Sequence, residues 1–145
     1  MSWGNLIRCA SVLVLLASCS QPSSYESFVT IDKSRGGVYS FDLDMSDSLA
    51  TYDIWLFNRV IAPCGHNEVL EDIPVEILWE GADSTSYAES LYMKSGGSKG
   101  NKQLYRSGVM LAKPGMVKLQ IRPQRVPEGF SGVGVVCERK YNGTR

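Results

Sequence analysis

Residues 52–61 decide the fold of this chain: Tyr52-Asp53-Ile54-Trp55-Leu56-Phe57-Asn58-Arg59-Val60-Ile61. An extended strand here would carry Ile54 and Leu56 on one face and Trp55 and Phe57 on the other. A strand that is apolar on both faces is either covered twice or keeps one aromatic face for a partner. Burial is the commoner outcome, and in the second case Trp55 and Phe57 are the candidate partner contacts.

Shorter segments on both sides of this strand alternate apolar and polar residues, which is typical of strands with one buried face. Clusters of Gly, Pro, Asn, Asp or Ser separate them, and no stretch keeps a helical period. The chain is therefore predicted to be all-β, an antiparallel β-sandwich of about eight strands, with a jelly roll as a candidate topology. A closed barrel is the second choice. The predicted strands are residues 28–33, 38–44, 52–61, 73–80, 87–93, 104–111, 117–122 and 132–139.

The N-terminus has the pattern of a bacterial lipoprotein leader. Arg8 precedes an apolar run that ends in Leu16-Ala17-Ser18-Cys19. A basic start, an apolar core and small residues before the cut describe a secretory signal peptide, and the last four residues resemble a lipobox. The alternatives are an ordinary signal peptide with a chance cysteine, or a transmembrane anchor, for which the run is shorter than the ~20 residues required. We predict a signal peptide over residues 1–18 and lipidation of Cys19.

The mature chain carries almost no net charge. Loss of Arg8 with the leader leaves 14 of the 15 basic side chains against 15 acidic ones, a net charge of about −1. This balance does not favour nucleic acid as a partner or a polybasic membrane patch, so attachment must come from the acyl chains on Cys19. The segment that follows Cys19 lacks the cluster of acidic residues that is associated with display of lipoproteins on the cell surface. We therefore expect an outer-membrane lipoprotein that faces the periplasm, with a lipidated tether over residues 19–27, a domain over 28–141 and a tail over 142–145.

The sequence contains no recognisable catalytic or metal-binding set. Cys64-Gly65-His66 includes the only histidine, and residues two apart in a loop rarely present a thiol and an imidazole to each other. With one histidine and two cysteines in the mature chain, a zinc site would need carboxylates at an unrecognisable spacing. We predict no metal, no cofactor and no enzymatic activity. Cys64 and Cys137 would be the free thiols left after processing, and they either form a disulfide in an oxidising compartment or remain two separate buried thiols.

Aromatic residues in the predicted strands are the remaining candidates for ligand binding. They belong to the core in most proteins, but they also form sugar-stacking or peptide-binding faces. The residues concerned are Trp55, Trp79, Tyr87, Tyr92 and Tyr105.

Three segments resemble the gliding-motility lipoprotein H family. Residues 112–123 resemble the penultimate hairpin of that family, and residues 127–135 resemble its approach to the final strand. Residues 52–59 lie where the family has a tyrosine-led strand that ends in arginine. The resemblance implies a cell-envelope lipoprotein that works by protein contacts and not by catalysis.

The expected function is therefore that of a lipid-anchored envelope protein acting as a structural or assembly component. Its expected partners are the membrane, through the lipid anchor, and other envelope proteins, while the oligomeric state is left open. The alternative is a carbohydrate- or peptide-binding β-sandwich lipoprotein, and an enzyme ranks third.

Overall fold

The computed structural model describes residues 22–62 and 71–143. The predicted signal peptide, Cys19, Cys64 and His66 lie outside the described residues. No helix in the described part of the chain is long and apolar enough to cross a membrane. The strands are β1 Ser24–Thr30, β2 Tyr39–Met45, β3 Thr51–Val60, β4 Ile73–Glu80, β5 Ser86–Met93, β6 Gln103–Val109, β7 Gly115–Pro123 and β8 Phe130–Lys140.

The strands form two four-stranded antiparallel sheets that pack as a sandwich. Sheet I has the order β1-β8-β3-β6, and sheet II has the order β2-β7-β4-β5. Strands at mirror positions in the chain pair with each other, β1 with β8, β2 with β7, β3 with β6 and β4 with β5. The chain is thus a long hairpin rolled into two sheets, which is the topology of a jelly roll. The prediction of an antiparallel sandwich with about eight strands is confirmed.

The core lies between the sheets and follows the alternation seen in the sequence. In β2 every second residue from Tyr39 to Met45 is buried, and the residues between them are exposed. In sheet I, Ile54 lies opposite Cys137 and Leu56 opposite Val135, and all four face the core. Each fully buried aliphatic side chain contributes about 1.5–3 kcal/mol relative to an exposed one, so this layer dominates the stability of the fold.

The loop over residues 94–102 is attached to the end of β3 through Asn58, which is fully buried. The side-chain amide of Asn58 donates to the Lys94 carbonyl at 2.9 Å, and its oxygen accepts the Gly96 N–H at 2.9 Å. A Cβ atom at Gly96 would overlap the Asn58 carbonyl oxygen. The glycines of this loop therefore permit a close approach of two backbones, which the sequence alone did not reveal.

Strand β1 begins earlier than expected. Residues 24–27, assigned to the tether, pair with β8 from Ser24 opposite Glu138 onwards, while Ile31–Lys33 form a single 3-10 turn instead of strand. The start of β1 is an edge segment exposed on both faces, so polar residues occupy it without a periodic signal. The domain boundary therefore lies before Ser24, and the segment between Cys19 and the fold is shorter than predicted.

All strands run between two ends of the sandwich. We call the end that holds the start of β1 the N-terminal pole and the other end the distal pole. The N-terminal pole comprises residues 22–23, 46–50, 81–85, 110–114 and 141–143, and the distal pole comprises residues 31–38, 61–62, 71–72, 94–102 and 124–129.

Candidate functional site

Trp55 and Phe57, the predicted partner contacts, lie on the outer face of sheet I. Phe57 is only 2% exposed although it points away from the core. Its ring stacks on Phe28 with centroids 5.7 Å apart and lies over Gly134, where a Cβ would overlap the ring atoms. β3 is therefore covered on both faces at this position.

Charged side chains complete the cover over Phe57. The Lys102 ammonium lies 5.7 Å from the ring centroid and pairs with Glu26 at 2.7 Å, so an ion pair spans the face from β1 to the start of β6. Lys102 and Glu26 are about half exposed, so this pair contributes little energy of its own. It does remove Phe57 from direct contact with a partner. Half-buried Trp55 and its cross-strand neighbour Leu104, 48% exposed, are the accessible part of this face.

The other aromatic residues singled out in the sequence do not form one common face. Trp79 and Tyr87 are cross-strand neighbours in sheet II, and Tyr105 of β6 stacks on Trp79 with centroids 6.1 Å apart. Tyr92 lies on the outer face of sheet II and is 69% exposed. The structure thus gathers Trp79, Tyr87 and Tyr105 on the side of the sandwich where β5 and β6 are the edge strands.

A hydrogen-bonded network closes that side of the sandwich. Trp79 Nε1 donates to the Tyr105 hydroxyl at 2.9 Å, and the Tyr105 hydroxyl donates to Glu89. The Arg106 guanidinium donates to both Glu89 carboxylate oxygens at 2.7 and 2.9 Å. Burial, followed by the bond to Glu89, raises the pKa of Tyr105 to about 12. Tyr105 therefore remains a neutral donor, and the charge of Glu89 is balanced within the chain.

The free edge of β5 lies beside this network. β5 pairs with β4 in an unbroken register of eight residue pairs, and the strand is mostly exposed. It contains no proline, lysine or bulge, and its one charged residue is Glu89. Such an edge is a template for pairing with another strand.

The remaining edge strands are less suited to strand addition. β6 has register shifts against β3 and a positive φ of 64° at Gly108, so its edge is bent. β2 presents two exposed carboxylates, Asp42 and Asp44. β1 is regular, but it starts at the point where the chain leaves for the predicted lipid anchor. β5 lies on the opposite side of the sandwich.

A cavity of about 460 Å³ lies between the edges of β1 and β2. Its lining includes Tyr25, Tyr52, Asp44, Cys137 and Arg139. Burial raises the pKa of the Cys137 thiol to about 11, so the thiol is protonated at neutral pH and unreactive.

The described residues hold no group of three or more His, Cys, Asp or Glu side chains that could bind a metal.

Sequence reasoning missed Glu89, Arg106 and Leu104 as members of these surfaces. By composition, Ala88-Glu89-Ser90-Leu91 fits one helical turn as well as a strand, so the sequence gives no emphasis to β5. Residues 86–93 contain no proline, lysine or glycine, a composition that a central strand shares, so no signal in the sequence could have identified β5 as an edge strand.

Comparison with known proteins adds little to this picture. No family model matches the chain, and no curated protein matches it. The chain is similar to the crystal structure of a protein from Sulfurospirillum deleyianum, with 14% sequence identity and a TM-score of 0.44, over 86% of this chain and 100% of the other.

Proposed function

We propose that this chain is a lipid-anchored cell-envelope protein that acts by protein contacts, as a structural or assembly component. The free edge of β5 is the contact surface. The observation that carries the proposal is the regular, exposed and nearly uncharged edge of this strand. The lipobox pattern at Cys19 supports export and anchoring, and the resemblance to the gliding-motility lipoprotein H family points to the same class of protein.

An extended segment of a partner would add to sheet II as a fifth strand beside β5. Backbone N–H and C=O groups that point away from β4 would supply the hydrogen bonds, since one side of an edge strand is unpaired. The regular register over Ser86–Met93 lets the added strand pair along the full length of β5. Backbone pairing of this kind gives affinity, and the side-chain pockets next to it give specificity.

A shallow pocket next to the edge offers that specificity. It has a volume of about 230 Å³ and is lined mainly by apolar atoms of Trp79, Tyr87 and Leu111. Every second side chain of an added strand would point to this face of the sheet. Because Glu89 is already neutralised by Arg106, the partner strand should be uncharged with an apolar residue facing the pocket.

The same surface favours the peptide-binding half of the alternative function over the carbohydrate-binding half. Sugar stacking requires an open ring face, but Trp79 stacks on Tyr105 and donates its indole N–H to that residue.

Catalysis receives no support from the two strongest pKa rises, at Tyr105 and Cys137, because both hold their groups in the protonated and unreactive form.

Site-specific photo-cross-linking in cells tests the proposal. A photoreactive residue in place of Tyr92 should give a discrete adduct with a second envelope protein, identified by mass spectrometry. Ser90→Lys should abolish the adduct, because lysine on an edge strand opposes the addition of another strand. The fold should tolerate this lysine, because position 90 lies opposite the carboxylate of Glu76 on β4. Ser40→Lys is the matched control, since Ser40 is an exposed serine on β2, the other edge strand of the same sheet.

The outcomes separate clearly. An adduct lost in Ser90→Lys and retained in Ser40→Lys supports strand addition at β5. An adduct that survives Ser90→Lys, that is lost equally in Ser40→Lys, or that never forms with the folded and acylated protein contradicts it.

A further inference from the structure

The attachment point of the predicted lipid anchor lies close to the N-terminal pole. Only two residues, Ser20 and Gln21, lie between Cys19 and Pro22, and the three steps of an extended chain cover at most about 3.6 Å each, or roughly 11 Å in total. From Ser23 onwards the chain belongs to the fold, because the Ser23 carbonyl accepts the backbone N–H of Arg139 at 2.7 Å. If Cys19 is acylated, as in the proposed function on which this inference rests, the N-terminal pole must lie near the bilayer surface.

The N-terminal pole exposes large apolar side chains. Leu49 in the loop between β2 and β3 is 82% exposed, and Met110 after β6 is 68% exposed. Tyr141, which follows β8, is 58% exposed. Aliphatic and tyrosine side chains with this exposure suit the boundary between head groups and acyl chains, where tyrosine is enriched.

The two poles differ strongly in the number of charged residues that their loops contain. The described loops and chain segments of the N-terminal pole contain three charged residues, Asp47, Asp83 and Lys113. The described loops of the distal pole contain ten: Asp32, Lys33, Arg35, Glu71, Asp72, Lys94, Lys99, Lys102, Arg125 and Glu128.

Both carboxylates of the N-terminal pole are engaged by neighbouring groups. Asp47 accepts the Leu49 N–H at 2.9 Å and the Tyr141 hydroxyl at 2.5 Å. Asp83 accepts the Thr85 N–H at 3.2 Å and the Thr85 hydroxyl at 2.6 Å. These hydrogen bonds satisfy the carboxylate oxygens of Asp47 and Asp83, which would otherwise oppose contact with the membrane. The long side chain of Lys113 can extend its ammonium group towards the lipid head groups.

We propose that the N-terminal pole rests on the lipid bilayer, with Leu49 and Met110 inserted at the interface and Tyr141 at head-group level. The acyl anchor and these side chains together orient the sandwich, so that its strands point away from the membrane. The charged distal pole then faces the aqueous compartment. β5 runs from pole to pole over eight residues, or about 26 Å, so most of its free edge stands clear of the membrane.

Tryptophan quenching by brominated lipid tests this orientation. Leu49→Trp is introduced into the full chain, and the acylated protein is reconstituted into phosphatidylcholine vesicles whose acyl chains carry bromine near the head group. Fluorescence from the native tryptophans is subtracted using the unsubstituted protein. We expect strong quenching of Trp at position 49, and Met110→Trp repeats the test if the first variant folds poorly.

The matched control is Ile31→Trp at the distal pole. Ile31 is also an exposed apolar residue, 51% exposed, and it lies in the short turn after β1. It should show no quenching beyond that of the unsubstituted protein. Equal quenching at positions 31 and 49, or no quenching at positions 49 and 110, would overturn the inference.

The mass of the purified chain separates this inference from the proposed function. A mature chain without acyl mass on Cys19 means that the anchoring proposal fails. An acylated chain whose position 49 is not quenched leaves the anchoring proposal standing and removes only the orientation.

Discussion

At the residue scale, the contact between Phe57 and Gly134 shows how a side chain outside the main core becomes buried. The Phe57 ring occupies the space that a side chain at position 134 would need. Phe28 covers one side of the ring, and Lys102 lies above it. The residue is therefore structural, and a partner would meet Trp55 and Leu104 before it met Phe57.

Phe57→Ala should destabilise the fold by about 3 kcal/mol, because it removes a buried ring whose cover consists partly of flexible charged side chains. Gly134→Ala should also destabilise it, since the new methyl group displaces the ring. The double variant should be more stable than the sum of the two single effects predicts, since without the ring the methyl group has room. Urea unfolding of all four proteins measures this coupling. Strictly additive losses would show that the two residues do not compete for the same space.

At the element scale, Asp53 holds three strands of sheet I together. It lies on β3, accepts the Ser107 hydroxyl at 2.9 Å and the Gly108 N–H at 2.8 Å from β6, and pairs with Lys140 at the end of β8. The bond from Lys140, then that from Gly108, lowers the pKa of Asp53 below its usual value. The carboxylate therefore stabilises the fold in its ionised form.

The sign of the pH dependence follows from this lowered pKa. A depressed pKa in the folded state gives stability that is present above the unfolded value of about 3.9 and is lost as the pH falls through the folded value. Asp53→Asn should therefore be less stable than the unsubstituted protein at pH 7, and the gap should narrow below about pH 4. Thermal unfolding from pH 2.5 to 7 provides the measurement, with the exposed Asp42→Asn on β2 as the control. A constant gap across this range would show that the ionised carboxylate is not the stabilising species.

The boundary of β1 belongs to the same scale. Residues 24–27 are polar, and they read as a tether in the sequence. Their backbone nevertheless pairs with β8, which lies more than 100 residues later in the chain. A local pattern contains no information about such a distant partner.

At the scale of the whole molecule, the chain path limits which thiols can pair. Cys137 lies beside Ile54 in the middle of sheet I, whereas the Ile61 N–H donates to the Gly129 carbonyl at 2.9 Å towards the distal pole. Ile61 lies seven positions after Ile54, which is about 23 Å of extended chain. Cys64 follows Ile61 by three positions in the sequence, a length of chain that spans at most about 11 Å. The remaining ~12 Å exceeds the ~7 Å Cα separation that a disulfide allows.

We therefore expect Cys64 and Cys137 to remain unpaired, in contrast to the disulfide that an oxidising compartment would favour if the protein is exported. Mass spectrometry of the unfolded, non-reduced and alkylated mature protein should show two labels, which checks this expectation. In the native protein at pH 7, Cys137 should label slowly, because its pKa of about 11 leaves roughly one thiol in ten thousand as thiolate. A protein without labels would mean that the end of β3 leaves β8.

The sequence by itself determined the all-β class, the number of strands and most of their positions, because alternation with a period of two is a local property of each strand. It also determined the inward face of β2, where apolar and polar residues alternate strictly, and of β4, where Ile73, Val75 and Ile77 occupy every second position. Only the tertiary structure decided that Phe57 is buried under Phe28 and Lys102 and that Trp79 stacks on Tyr105. It also decided that β5 has a free edge and that the two poles differ in the number of charged residues. Each of these depends on which distant segments become neighbours when the long hairpin rolls up, and pairing between distant segments leaves no mark on the local pattern of either one.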